Sequence, residues 1–90
     1  MLVSKEDEVI DGNLSKIVEK TLNKYFEMHK GGTIPSGLHA NIINAVEKSL
    51  LKVTLKYTQG NKVKTAEILG INRNTVYKKL AEFDLAGDYQ

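Results

Sequence analysis

The stretch Gly60–Phe83, "GNKVKTAEILGINRNTVYKKLAEF", reads as two short helices joined by a forced turn. Asn61 is placed to cap the first helix, which runs to about Leu69. Gly70 ends it, and Asn72 caps the second, which runs to about Phe83. Asparagine suits both starts because its side-chain oxygen accepts a free N–H of the first turn. Glycine suits the stop because it takes a left-handed backbone without steric cost. Two helices crossing steeply through a short turn need a small side chain where they approach, and Ala66 supplies it. Ile71 plugs the turn into the core. Val76 and Leu80, one helical turn apart, bury the inner face of the second helix. This is helix-turn-helix spacing, which ordinary helical hairpins also share.

Upstream, a longer helix ends at Gly60, which serves as its C′ residue. Its apolar positions are Leu38, Ile42, Ala45, Val46, Leu50, Val53 and Tyr57, with Ile43 and Leu51 broadening the stripe. Ser36 caps its start. The segment "GGTIPSG", with the only proline, is the loop before it. An earlier helix starts at an Asn13 cap, carries Leu14, Ile17, Val18, Leu22, Tyr25 and Phe26 on one face, and stops near His29–Lys30 before Gly31 and Gly32. Residues 1–13 lack periodicity and read as a flexible tail, and the final "DLAGDYQ" should fray. The chain is therefore all-α with four helices: tail 1–13, dimerisation helices 14–58, helix-turn-helix 59–84 and tail 85–90.

Ninety residues give a marginal core. The stripe on the long helix is wider than one neighbour would cover, so a second subunit is the expected supplier of burial. The sequence predicts a homodimer whose first two helices form a shared bundle.

With no cysteine there are no disulfides or thiolate metal sites, which fits a reducing cytosol. The N-terminus is neither a secretory signal nor a membrane span. His29 and His39 have no cysteine or clear carboxylate partner at ligand or triad spacing, and both read as surface residues. "GG" before Thr33 lacks the rest of a phosphate loop. No enzyme, metal or cofactor is expected.

The net charge of +2 is unevenly spread. Residues 1–50 carry −1, residues 51–90 carry +3, and residues 60–80 alone carry +4. Lysine-rich helix faces are often only solvated, but here the outward face of the last helix is also rich in donors. It presents Asn72, Arg73, Asn74, Thr75, Tyr77, Lys78 and Lys79. A helix reading the DNA major groove needs such groups at its N-terminal end: arginine to guanine, asparagine to adenine, a threonine methyl to thymine. Lysines farther along suit phosphates. Capping alone accounts for Asn72, whereas Arg73 has no structural duty. Lys62 and Lys64 add charge on the preceding helix.

The combination Tyr57-Thr58-x-Gly60-Asn61, Ala66, Gly70-Ile71-Asn72-Arg73-x-Thr75 and Lys78-Lys79-Leu80 resembles the Fis family of bacterial nucleoid-associated proteins. The DNA-binding domains that end NtrC-type activators share this pattern. "LSKIVEKTLNKYF" and "LHANIINAVEKSLL" extend the likeness to roughly residues 14–85. The resemblance implies a four-helix, intertwined homodimer in the cytoplasm that binds and bends AT-rich, roughly palindromic DNA. The two recognition helices would lie closer than one DNA turn, so the duplex curves. Double-stranded DNA would be the main partner, with RNA polymerase or other transcription proteins as further ones. The family's DNA contacts fall on Asn72, Arg73, Thr75, Lys78 and Lys79, and on Asn61 at the start of the preceding helix.

Two positions depart from the enteric members of the family. Tyr77 stands where they carry arginine, and Val63 replaces a threonine; Lys62 and Lys64 can compensate in charge. The residues before Leu14 leave little room for the long N-terminal arm that stimulates a DNA invertase, so that activity is not expected. Two other assignments fit parts of the pattern. One is the DNA-binding domain of an NtrC-type activator, which would need an upstream ATPase. The other is a helical dimerisation or docking module, which would have no salt-dependent affinity for DNA.

Overall fold

A computed structural model describes residues 5–85. These are helical with no strand among them: α1 (Lys5–Asp7), a π-helical segment (Glu8–Leu14), α2 (Ser15–Met28), α3 (Leu38–Tyr57), α4 (Lys62–Leu69) and α5 (Arg73–Glu82). They fall into two units, one ending at Ser36 and the other beginning at Gly37.

In the first unit, helical backbone begins at Lys5, within the stretch expected to be a tail. Residues 1–4 of that stretch lie outside the described residues. Asn13 lies inside the π-helical segment and caps nothing, which corrects the expected helix start. Extending an existing helix costs one residue at a time and returns a hydrogen bond for each. Glu6, Asp7 and Glu8 also place negative charge near the positive end of the helix dipole. Periodicity gives little sign of this extension, because Val9 and Ile10 are the only apolar residues from Lys5 to Asn13, and both are exposed. Ile17 and Phe26 are exposed on α2. At its end His29 Nδ1 lies 2.9 Å from the Tyr25 carbonyl oxygen, with its ring against the Tyr25 ring.

The second unit holds the core. Leu51 and Leu55 of α3, Ala66 of α4, Val76 and Leu80 of α5, and Leu85 beyond it are buried together, with Leu69 and Phe83 packed alongside. Leu51, Thr54 and Leu55 follow i, i+3, i+4 spacing, so one face of α3 meets the α4–α5 hairpin. The rest of the expected stripe looks elsewhere: Val53 is 66% and Tyr57 80% exposed, and Leu50 and Ile43 are half-exposed. The long helix thus serves the hairpin with its narrower face and leaves its broader one uncovered. Its start differs from expectation as well. Gly37, not Ser36, is the N-cap, at φ 97°, a left-handed conformation that glycine adopts freely.

Three helix ends close in one way. After α3 the Gly60 N–H donates to the Leu55 carbonyl at 2.9 Å, and the Gln59 N–H to that of Lys56 at 3.1 Å. After α4 the Ile71 N–H donates to Ala66 and the Gly70 N–H to Glu67. After α5 the Leu85 N–H donates to Leu80 and the Asp84 N–H to Ala81. Each is a Schellman motif with a left-handed residue: Gln59, Gly70 and Asp84. The C′ residue of α3 is therefore Gln59, with Gly60 one position later. The motif also explains Leu85. It follows the left-handed residue and sits over Leu80, a large apolar side chain, so the first residue of the expected C-terminal tail is core. Residues 86–90 of that tail lie outside the described residues. Ile71 holds the equivalent position after α4, where its counterpart is only Ala66. It remains 40% exposed instead of plugging the turn.

Candidate nucleic-acid interface

Asn61 and Asn72 both act as caps. Asn61 Oδ1 accepts the Lys64 N–H at 3.0 Å, and Asn72 Oδ1 accepts the Asn74 N–H at 2.7 Å. With the oxygens used, their amide groups retain N–H donors for an outside acceptor. Both residues are exposed.

The corner before α4 is fixed by two threonines. Thr65 is fully buried, and its hydroxyl lies 2.8 Å from Thr58 Oγ1 and 2.8 Å from the Asn61 carbonyl. Thr58 Oγ1 also reaches the Leu55 and Asn61 carbonyls, each at 3.1 Å. Two hydroxyl protons thus serve four close contacts that join α3, the turn and α4. No buried side-chain nitrogen or oxygen among the described residues lacks a partner.

On α5, Val76 and Leu80 point inward and are almost wholly covered. Arg73, Asn74 and Thr75 form the exposed first turn, and Lys78 is exposed one turn beyond Asn74. Neither Arg73 nor Lys78 makes an ion pair among the described residues. The two flanks of the helix differ. On the flank toward α4, Lys62 Nζ stands 6.0 Å from the Tyr77 ring centre, at the outer reach of a cation–π contact. The uncharged phenol thus has a cation beside it.

On the flank toward α3, Lys79 Nζ lies 3.0 Å from Glu47 Oε1 and 3.6 Å from Glu82 Oε2. Glu47 raises the Lys79 ammonium above the ordinary lysine value, first by accepting its hydrogen bond and then by its charge. Partial desolvation pulls the other way, and Glu82 adds to the rise. Lys64 pairs with Glu67 at 3.6 Å, but both ends are open to solvent, so screening leaves that pair weak.

The expected contact residues therefore divide into groups. Asn61, Asn72, Arg73, Asn74, Thr75 and Lys78 stand exposed on the starts or outer face of α4 and α5. Lys62 and Tyr77 meet each other, Lys64 carries a loose partner, and Lys79 is drawn back onto α3. Glu47 went unnoticed in the sequence because nothing local links it to Lys79; only the crossing of α3 and α5 does.

The sequence profile for bacterial regulatory proteins of the Fis family matches residues 42–83. The DNA-binding protein Fis of Proteus mirabilis is 32% identical over 83 residues, covering 92% of this chain and 84% of that protein. Fis of Yersinia enterocolitica is 34% identical over the same length and coverage. The DNA-binding transcriptional regulator NtrC of Azospirillum brasilense is 42% identical over 72 residues, covering 80% of this chain. The matched region is only 15% of the length of that regulator, and the same share holds for its counterpart in Rhizobium meliloti.

Proposed function

The chain belongs to the Fis family of bacterial regulatory proteins and carries its helix-turn-helix DNA-binding domain, and from that premise we propose that it works as a homodimer that bends AT-rich, roughly palindromic DNA. The observation that carries this proposal is the first turn of α5. Its inner face is locked into the core while Arg73, Asn74 and Thr75 stand exposed beside Asn72. Arg73 selects bases in the major groove, assisted by Asn72 and Thr75. Lys62, Lys64 and Lys78 hold phosphates, with Asn61, Asn74 and Tyr77 as uncharged hydrogen-bonding contacts. Lys79 joins them once it leaves Glu47.

Dimerisation is supported by apolar surface that the single chain leaves bare: Ile17 and Phe26 on α2, and Leu50, Val53 and Tyr57 on α3. Preference for an AT-rich centre would follow from how readily that centre deforms as the duplex curves between two recognition helices. The protein then acts at the nucleoid. No helix among the described residues is long and apolar enough to cross a membrane.

A second possibility is favoured by the 42% identity to NtrC: the segment serves as the DNA-binding end of an activator. It shares the groove-reading helix and differs in what the rest of the protein does.

Fluorescence anisotropy tests the shared core. A labelled duplex of about 25–30 base pairs with an AT-rich centre is titrated at two salt concentrations, beside one with a GC-rich centre. Tighter binding to the AT-rich duplex, falling steeply with salt, is the expected result. Absence of binding to both at low salt overturns the proposal and leaves a helical interaction module. Light scattering at the same concentrations should give the mass of two chains.

A further inference from the structure

Lysines near a DNA site are usually counted as equivalent cations. Here they are not. Lys78 and Lys79 are neighbours on α5, yet Lys78 is exposed without an ion pair among the described residues, and Lys79 is only 29% exposed and held between two carboxylates. Of those, Glu82 lies on the same helix at 3.6 Å. Glu47 reaches across from α3 to 3.0 Å and is itself partly covered.

On the DNA-binding proposal above, we infer that Glu47 tunes the affinity for DNA by occupying the Lys79 ammonium, so that a phosphate acquires this cation only by displacing a carboxylate of the protein. The thermodynamic signature is specific. An exposed lysine that meets a phosphate releases a counterion condensed on the DNA, and affinity therefore falls with salt. When Lys79 does the same, the abandoned Glu47 carboxylate is left to take up a cation from solution. Release and uptake oppose each other, so this contact adds little to the salt slope. The raised proton affinity of Lys79 accords with a firmly held ammonium. Because the partner contested for is a phosphate, the effect is blind to base sequence. Glu47 is thus a positioning residue that acts through Lys79 without touching DNA.

Glu47→Gln removes the charge and keeps an acceptor oxygen of the same reach. The expected result is a steeper salt dependence by about 0.9 in the log–log slope per chain. Affinity should rise roughly three- to tenfold at about 0.1 M salt, equally on AT-rich and GC-rich duplexes. In a Lys79→Gln background the same substitution should lose this effect. A gain that persists there reports only a general change in charge and overturns the inference. So does an unchanged slope or weaker binding, either of which would make Glu47 a structural brace only.

A comparison that leaves Glu47 in place guards against misfolding of that variant. Lys78→Gln should flatten the slope by roughly one unit per chain, and Lys79→Gln by clearly less. Equal flattening overturns the inference. If the unsubstituted protein binds neither duplex, the DNA-binding proposal falls and the role of Glu47 with it. If it binds and the variants do not differ as stated, only the role of Glu47 falls.

Discussion

Lys79 of α5 and Glu47 of α3 are joined end to end at 3.0 Å, the closest ion pair among the described residues. It ties α5 to α3 through two partly covered side chains. Since the folded-state proton affinity of Lys79 is raised above its ordinary 10.5, the stabilising contribution is complete below that pH and is lost as pH rises through the higher folded value. The difference in unfolding temperature between the unsubstituted protein and Lys79→Met should therefore hold steady from about pH 7 to about pH 10 and shrink above it. Calorimetry across that range checks this. A difference that instead widens on the alkaline side would show that the pair is not what Lys79 contributes.

Arg73 stands in the exposed first turn of α5 with no ion pair to lose among the described residues. Arg73→Ala should therefore leave stability nearly unchanged while lowering affinity for preferred sites by about 1–3 kcal/mol. Affinity for unrelated sequences should fall less. An equal loss on every duplex would assign the guanidinium to phosphate.

Gly70 makes the turn at φ 71°, and a Cβ added there would meet nothing within 4 Å. The cost of Gly70→Ala is then conformational strain alone, about 1–2 kcal/mol. Gly70→Asn should cost less, since asparagine tolerates the left-handed region. Urea titrations of the two variants should rank in that order. The reverse order would point to crowding at the turn.

Thr65 is wholly enclosed and shares its hydroxyl with Thr58 and the Asn61 carbonyl. Thr65→Val keeps the shape and deletes the oxygen. It should destabilise the fold by about 1–2 kcal/mol, because the contacts at the corner between α3 and α4 then rest on one proton instead of two. Chemical denaturation measures this directly. A neutral result would mean that Thr58, through Leu55, satisfies the corner unaided.

What the sequence made legible was chemistry that acts over one helical turn. Asn61 and Asn72 cap where expected, Gly70 is left-handed, and Ala66, Val76 and Leu80 are buried, because each is signalled by neighbours two to four residues away. The misplaced details have local causes of another kind. At the start of α3 a left-handed glycine competes with a serine cap and wins. At the start of α2 the helix continues past Asn13 with only Val9 and Ile10, both exposed, to announce it. Leu85 looked like tail because its burial depends on a Schellman closure rather than on helical periodicity. Within the candidate site the exposed donors were visible as residue types. The capture of Lys79 was not, since it arises from how two helices cross and from a glutamate more than thirty residues away in sequence.

Every fully enclosed side chain among the described residues lies between Leu51 and Leu85. The apolar groups that hold α4 and α5 in place are thus gathered in one short, continuous piece of chain. A piece of that kind is easily inherited as a unit: appended to a different partner, it brings the scaffolding of its recognition helix along. The family profile, over residues 42–83, takes in nearly all of that piece.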